Sequence, residues 1–285
     1  NTGDEVIIPS PYWLSYPQMV RLAGGKPIFT NSSAEDGFKI NIEDLKSKIS
    51  SKTKFIIINS PNNPTGRVMS KEELLQIADL ARENPNINIL SDEIYELILK
   101  KEFKHYSLSS LANDLKDRIF IINGFAKGWA MTGWRIGYLV GPKDVIKASS
   151  ALQSQSTSNV CSFVQKGALE ALKINNEFFS MINSHYDQRR SLLYEGLNNI
   201  NGIYIEEPNG AFYAFPKLPN SSITSVDFCN KALQDYGLVV VPGKAFGADQ
   251  CIRISCAASE IKIKDGLKRI ETVSYTHLRA HETLL

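Results

Sequence analysis

Short runs of β-branched and aromatic residues alternate with helical patterns along the first part of this chain. Apolar side chains recur at helical spacing in residues 41–49, and Ser70 with Glu73 forms a capping box ahead of another helical pattern. The strand-like runs cover residues 5–9, 26–30, 55–59, 87–91, 118–122 and 136–140. Such alternation predicts an α/β fold in which helices cover both faces of a mostly parallel sheet.

The pattern changes in the second part of the chain, where a long helical stretch at residues 176–200 precedes shorter strand-like runs. These runs cover residues 203–206, 211–215, 238–241 and 251–255. We therefore predict a large domain over residues 1–187 and a smaller C-terminal α+β domain over residues 188–272.

The two ends of the chain have unusual sequences. The chain starts at Asn1 without a methionine and enters a strand almost at once, so we expect a fragment of a longer protein. Residues 273–283 read VSYTHLRAHET, which looks like translated read-through of a transposase-type sequencing adapter, and we exclude residues 273–285 from the predicted fold. His277 and His281 lie four residues apart there, but no acidic or thiol ligand accompanies them, so we predict no metal site.

Charge and cysteine content exclude several classes of protein. The 285 residues carry a net charge of +2, without a block of like charge or an apolar run long enough to span a bilayer. We therefore predict no nucleic-acid partner and no membrane partner. None of the four cysteines has CxxC spacing, which predicts reduced structural thiols in a cytoplasmic setting.

Polar residues follow three of the strand-like runs. Residues 55–59 lead into SPNNPTG, residues 87–91 lead into DEIY, and residues 118–122 lead into a stretch that contains Lys127. Ligands of open α/β sheets bind outside the carboxyl ends of the strands. We therefore expect these three strand ends to face one crevice.

Lys127 is the most informative of these polar residues. At the end of a buried strand it is shielded from bulk water, and burial favours the neutral amine that attacks a carbonyl to form a Schiff base. Arg135, eight positions later, has a planar guanidinium that binds phosphate bidentately, and Gly124, Ala126 and Gly133 leave room for a bulky ligand. From the residues alone, a solvated loop charge is the alternative interpretation of Lys127.

Residues 123–137 read NGFAKGWAMTGWRIG and closely resemble the lysine-site signature of the class I and II pyridoxal phosphate (PLP) aminotransferases, which have fold type I. The resemblance implies that Lys127 forms a Schiff base with PLP and that Arg135 binds the cofactor phosphate. Many family members carry a hydroxyl residue where Ala126 stands, so we expect one phosphate contact to be absent. The resemblance extends over about residues 3–272.

Five further residues occur in the order of the family's cofactor and substrate ligands. The resemblance implies that Trp13 stacks on the cofactor ring, that Asn63 hydrogen-bonds its phenolic oxygen and that Asp92 keeps its pyridine nitrogen protonated. It also implies that Tyr95 reaches the same ligand from the first turn of a helix. Arg253 is expected to bind the substrate α-carboxylate, with Asn63 and Trp13 as the other substrate contacts.

Each of these five residues also has a purely structural interpretation. Asn63 lies in an ordinary turn sequence, and Asp92 is a favoured residue at the start of a helix. Trp13 also suits a core or an interface, and Tyr95 also suits a half-buried position in the core. Arg253 lies within an apolar strand and therefore needs an anionic partner, which a buried glutamate would also provide.

The resemblance implies a ping-pong transamination between an amino acid and a 2-oxo acid, with Lys127, Asp92 and Tyr95 as the catalytic residues. The stretches SPYW, SPNNPTG and SDEIYE resemble the bacterial aspartate branch, which favours an aspartate/2-oxoglutarate enzyme that forms a homodimer. Two alternatives stay open: a PLP-dependent carbon–sulfur lyase, and the aminotransferase-like domain of a transcriptional regulator. We expect the 285 residues alone to be inactive, because the family's N-terminal contacts precede them.

Overall fold

A six-stranded sheet forms the centre of the larger part of the structure. The computed structural model describes residues 1–219 and 223–282, with residues 276–282 described by their backbone alone. The strands are β1 (Glu5–Pro9), β2 (Lys26–Thr30), β3 (Thr53–Asn59), β4 (Asn88–Asp92), β5 (Ile119–Gly124) and β6 (Gly137–Val140). Their order is β2-β1-β3-β4-β5-β6, and every neighbouring pair is parallel except β5 and β6. The predicted mostly parallel sheet is confirmed.

Helices follow most of the strands. They are α1 (Tyr16–Leu22), α2 (Ile42–Ser47), α3 (Lys71–Glu83), α4 (Leu108–Leu111), α5 (Lys143–Ser156), α6 (Ser162–Ala171), α7 (Asn176–Asn198), α8 (Ser225–Tyr236) and α9 (Glu260–Glu282). The predicted capping box starts α3: the Ser70 hydroxyl accepts from the Glu73 backbone N–H, and the Glu73 carboxylate accepts from the Ser70 N–H. Among the described residues, no helix is both long enough and apolar enough to cross a membrane.

Side chains of β3 alternate between two cores on opposite faces of the sheet. Ile56 and Ile58 pack in a cluster with Leu74 of α3. Ile57 points to the other face and packs in a cluster with Val20 of α1. Because successive strand residues face opposite sides, this alternation requires an apolar partner on each side. The predicted covering of both faces by helices is confirmed.

A second, three-stranded antiparallel sheet lies in the later part of the chain. Its strands are β7 (Tyr213–Ala214), β8 (Val241–Pro242) and β9 (Ile252–Ser255), in the order β7-β9-β8. The strand predicted at residues 203–206 is wrong, because Tyr204 forms only an isolated bridge with Lys217. Pro219 lies beside Gly202, two residues beyond the bridge between Tyr204 and Lys217. Because proline has no N–H, it cannot donate the next hydrogen bond that would extend this bridge into a strand pair.

Two predicted boundaries fall inside helices. The predicted division after residue 187 lies within α7, and the two-domain division stays a prediction. The segment excluded as adapter-like begins within α9, where Val273 is fully buried in the core that α7, α8 and α9 share. The side chains of His277 and His281 lie outside the described part of the structure.

Candidate active site

An open cleft of about 570 Å³ lies at the carboxyl ends of β3, β4 and β5. Its lining includes every predicted site residue, namely Trp13, Asn63, Asp92, Tyr95, Lys127, Arg135 and Arg253. The predicted meeting of three strand ends at one crevice is confirmed. The volume lies within the range of small-molecule sites, about 300–1,000 Å³.

Lys127 follows the end of β5 by three residues and is half-buried. Its Nζ lies 5.9 Å from the ring centre of Tyr95 and 5.7 Å from that of Phe212. It forms no hydrogen bond or ion pair with any residue that the structure describes. Burial lowers the pKa of the Lys127 amine, and the nearby charges of Arg135 and Arg253 lower it further. The charge of Asp92 opposes these effects, and the net lowering favours the neutral amine, which is the form that acts as a nucleophile or base.

Asp92 is the last residue of β4 and is only 8% exposed. Its Oδ2 accepts a hydrogen bond from the Tyr16 hydroxyl, and its Oδ1 accepts from the backbone N–H of Ile94 at 3.2 Å. Burial raises the pKa of the Asp92 carboxyl, while the hydrogen bond from Tyr16 opposes that rise. Turns follow β4 instead of a helix, so the helix-capping interpretation of Asp92 is wrong.

Tyr95 lies on these turns and not on the first turn of a helix, as the sequence predicted. The N–H of Glu96 donates to the carbonyl of Glu93, and the N–H of Ile98 donates to the carbonyl of Tyr95. The Glu93 backbone N–H is already engaged by Ile122 of β5 at 2.9 Å, which keeps this segment at the end of the sheet. The Tyr95 side chain is nevertheless directed into the cleft, and it is only 4% exposed.

Asn63 and Arg253 are joined by a direct hydrogen bond. The Arg253 Nη1 donates to Oδ1 of Asn63 at 2.9 Å, and the Asn63 backbone N–H donates to Oδ1 of Asn59 at 2.8 Å. The Arg253 guanidinium also lies over two rings, 4.7 Å from the centre of Tyr213 and 4.9 Å from that of Phe246. The alternative interpretation, a buried glutamate partner, is wrong: among the described residues, none forms an ion pair with Arg253. Its charge is therefore available to an anionic ligand.

Arg135 and Trp13 line the mouth of the cleft. Arg135 is exposed, and its Nη1 donates to the carbonyl of Thr132 at 2.8 Å. Its backbone has φ of 53°, a left-handed conformation that non-glycine residues adopt at some energetic cost. Trp13 is half-buried, and its ring packs edge-to-face against Tyr16 with 5.3 Å between ring centres. Both side chains therefore keep surface available to a ligand.

Gly124 has a different function from the one the sequence predicted. A Cβ at this position would lie 2.7 Å from the Gly137 Cα, so the close approach of β5 and β6 requires the glycine. Ala126 does line the cleft, whereas a Cβ on Gly133 would have no neighbour within 4 Å. Ala126 therefore provides space for a ligand, whereas Gly124 allows the close approach of β5 and β6.

Sequence reasoning missed four polar residues of the cleft, namely Tyr16, Asn59, Asn123 and Tyr213. Tyr16 contacts Asp92, Tyr213 contacts Tyr95 with 2.9 Å between hydroxyl oxygens, and Asn59 contacts Asn63. Asn59 ends β3, so its strand-end position was a usable signal. Tyr16 and Tyr213 have ordinary aromatic surroundings in the sequence, and only their tertiary contacts identify them.

Glu93, Glu96 and His105 form a cluster whose ligand-type atoms lie within 4.8 Å of one another. Glu93 accepts from the hydroxyls of Ser91 and Ser107 and lies 3.1 Å from Nε2 of His105. Glu96 accepts from Asn123. These hydrogen bonds satisfy the carboxylates without an ion, and we assign no metal to the cluster.

Comparisons with known proteins agree with this geometry. Residues 1–270 match the family model described as aminotransferase class I and II. A probable aspartate/prephenate aminotransferase of Rickettsia typhi is 45% identical over 286 aligned positions, which cover 96% of this chain and 71% of that protein.

Two solved structures share the fold. Aspartate aminotransferase from Thermus thermophilus with maleate is 41% identical with a TM-score of 0.90, over 96% of this chain and 70% of that one. Aromatic aminotransferase from Pyrococcus horikoshii is 37% identical with a TM-score of 0.91, over 96% of this chain and 74% of that one. Because the family model and these solved relatives match nearly the whole chain, this chain belongs to the class I and II aminotransferase family and has its type I fold.

Proposed function

We propose that this protein is a PLP-dependent aminotransferase that moves an amino group from an amino acid to a 2-oxo acid by a ping-pong mechanism. The observation that carries the proposal is the Lys127 amine, which has no hydrogen-bonding partner among the described residues and whose pKa is lowered by burial. It shares its cleft with a buried carboxylate, Asp92, and with Arg253, an arginine that forms no ion pair with any described residue. These are the groups that covalent amine chemistry on an amino acid needs.

The residues of the cleft fit PLP. Lys127 would hold the cofactor covalently, Asp92 would face its pyridine nitrogen, Arg135 would bind its phosphate and Trp13 would stack on its ring. Asn63 uses its Oδ1 for Arg253, which leaves its NH₂ group as a donor for the phenolic oxygen of the cofactor. When bound, PLP supplies an electron sink for the bond that breaks at the substrate α-carbon.

The chain's own residues then provide binding and proton transfer. Arg253 binds the α-carboxylate, because its guanidinium is held in place by Asn63 and by two aromatic rings yet carries an unneutralised charge. The lowered pKa of Lys127 keeps its amine neutral for a larger fraction of the time, so that it accepts a proton at Nζ and returns it. Tyr16 and Ile94 both donate hydrogen bonds to the Asp92 carboxylate, which would hold it in place to face the ring nitrogen of the cofactor.

The substrate pair we propose is aspartate with 2-oxoglutarate. The names of the relatives support this choice, since the one from Thermus thermophilus is an aspartate aminotransferase and the one from Rickettsia typhi a probable aspartate/prephenate aminotransferase. The similarity to an aromatic aminotransferase makes an aromatic amino acid the second candidate donor. The family resemblance further supports a homodimer in the cytoplasm.

The test is to incubate the protein with PLP, reduce it with borohydride and find the labelled peptide by mass spectrometry. We expect the label on Lys127 and the loss of the visible absorption band in Lys127→Ala. Lys173→Ala is a matched control, because this exposed lysine pairs only with Glu170 at the surface. A donor panel with 2-oxoglutarate then compares aspartate, tyrosine and alanine, and cystathionine is added as a substrate with a carbon–sulfur bond for the lyase alternative. A label on another lysine would overturn the site assignment, and thiol release without amino transfer would favour the lyase.

A further inference from the structure

We infer that Tyr213 is a positioning residue that links the cofactor-binding side of the cleft to the carboxylate-binding side. Its hydroxyl orients the hydroxyl of Tyr95, and its ring supports the guanidinium of Arg253. The inference rests on the proposed function, in which Arg253 is the substrate ligand, and it takes Tyr95 as a cofactor ligand whose hydroxyl donates to the phenolic oxygen beside Asn63. Nothing in the local sequence around Tyr213 distinguishes it from a core aromatic.

The hydrogen bond between the two tyrosines decides what Tyr95 can offer a ligand. Their hydroxyl oxygens are 2.9 Å apart, and the residues are 4% and 7% exposed. Burial raises the pKa of both hydroxyls, so each keeps its proton. A hydroxyl has one proton to donate and two lone pairs. When Tyr213 donates to Tyr95, the single proton of Tyr95 is directed to the ligand instead.

The ring of Tyr213 acts on Arg253. The centre of the guanidinium lies 4.7 Å from the centre of this ring, and Phe246 lies 4.9 Å away as a second aromatic support. Cation–π contact of this kind stabilises the charged group without neutralising it. The hydrogen bond from Arg253 to Asn63 sets the remaining orientation. Arg253 is therefore held for an incoming carboxylate by contacts that leave its charge available.

The backbone around Tyr213 is fixed by loops that follow strands of the first sheet and by β9 of the second sheet. The N–H of Gly210 donates to the carbonyl of Gly66 at 2.7 Å, and the N–H of Ala211 donates to the carbonyl of Ile98 at 2.9 Å. Ala211 has φ of 51°, and its carbonyl accepts from the buried side chain of Arg190. Tyr213 itself pairs with Ser255 of β9. Contacts from loops after β3 and β4 and from β9 thus determine where the Tyr213 side chain lies.

The first experiment measures the pH titration of the visible absorption band in the PLP-loaded protein and its variants. A donor to the phenolic oxygen of the cofactor stabilises its anionic form, so losing that donor raises the midpoint. We expect Tyr95→Phe to raise it by about one to two pH units and Tyr213→Phe to raise it by about half a unit. In the double variant, Tyr213→Phe should add nothing, because it acts through the Tyr95 hydroxyl.

The second experiment measures binding of maleate, a dicarboxylate that is not an amino donor. Tyr213→Phe keeps the ring and should change the Kd by less than about twofold, whereas Tyr213→Leu removes the ring and should weaken binding about three- to tenfold. Maleate binding is also measured in the cofactor-free protein. The Kd values of the Phe and Leu variants can therefore be compared even if one variant binds PLP poorly.

The outcomes separate the two proposals. If the unmutated protein shows neither a visible band nor a covalent PLP label, the proposed function fails. If its band is normal but Tyr213→Phe leaves the midpoint unchanged while Tyr95→Phe shifts it, the linking role of Tyr213 is overturned and the proposed function is retained. Equal maleate affinity of the Phe and Leu variants would overturn the support of Arg253 by the ring.

Discussion

Arg253 on β9 donates a hydrogen bond to Asn63 at 2.9 Å, across a sequence separation of 190 residues. This bond joins the second sheet to the loop that follows β3 of the first. The guanidinium proposed to bind the substrate is therefore placed by a contact between the two sheets, and the same contact settles which atoms of Asn63 remain for the cofactor.

Arg253→Leu tests the carboxylate role. Every amino donor carries an α-carboxylate, so we expect kcat/KM to fall for all donors alike, by about 10- to 150-fold for one lost charge-assisted hydrogen bond. Steady-state kinetics of the full-length protein on a panel of donors checks this. Arg82→Leu is the control, because this arginine pairs with Asp79 and Asp114 at the surface. Loss of a single substrate would instead assign Arg253 to side-chain recognition.

Asp92→Asn is expected to change the pH dependence of stability in the cofactor-free protein. Burial raises the pKa of Asp92 above its ordinary 3.8. Between pH 3.8 and the raised pKa, the folded state therefore binds more protons than the unfolded state. The contribution of the Asp92 carboxyl to the stability of the folded state is fully present below pH 3.8 and is lost as pH rises through the raised pKa. At pH 7 the unfolded carboxyl is ionised, so the raised pKa of Asp92 lowers the stability of the folded state there, and the asparagine variant should be more stable.

Urea unfolding at pH 7 and at about pH 4 measures the difference in free energy of unfolding between the Asp92→Asn variant and the unmutated protein. This difference should shrink at the lower pH. Asp114→Asn provides a control of opposite sign, because hydrogen bonds from Arg82 lower the pKa of Asp114. That variant should lose stability at pH 7. Equal pH dependence in the Asp92 variant and the unmutated protein would contradict the burial effect.

Gly124→Ala should destabilise the protein by about 1–3 kcal/mol, because the added Cβ would overlap the backbone of β6 at Gly137. Gly133→Ala is the matched control, since its Cβ would meet nothing within 4 Å. Thermal unfolding of the two variants measures the contrast. Similar melting temperatures would show that β5 and β6 can move apart to accommodate the added Cβ without loss of stability.

Shortening the chain tests whether the start of the adapter-like segment belongs to the core. Val273 is fully buried beside α7 and α8, so ending the chain after residue 272 should cost about 2 kcal/mol relative to ending it after residue 275. Urea unfolding of the two shortened proteins compares them directly. Equal stability would support excluding the whole segment from residue 273 onward.

The sequence by itself determined the features that depend on local pattern. The six strands of the first sheet were predicted to within two residues, and the capping box of Ser70 and Glu73 was confirmed. The polar residues at three strand ends were also predicted to meet at one crevice. These predictions succeed because hydrophobic periodicity and capping act within a few residues, and because parallel strands bring their carboxyl ends to one edge.

Local pattern failed where long-range contacts override it. Residues 203–206 have strand-like residues but form no strand, and Tyr95 lies on turns because Glu93 is held by β5. The strands of the second sheet are shorter than their apolar runs predicted. Propensity describes the secondary structure that a segment prefers in isolation. Where two conformations differ little in free energy, tertiary contacts determine which one forms.

Only the tertiary structure decided which polar side chains meet inside the cleft. Tyr16 reaches Asp92 over 76 residues of sequence, and Tyr213 reaches Tyr95 over 118 residues. No local pattern pairs residues so far apart, because the pairing depends on how α1 and β7 pack against the strand ends. A buried hydroxyl or carboxylate needs a hydrogen-bonding partner, and packing alone determines which partner lies within reach.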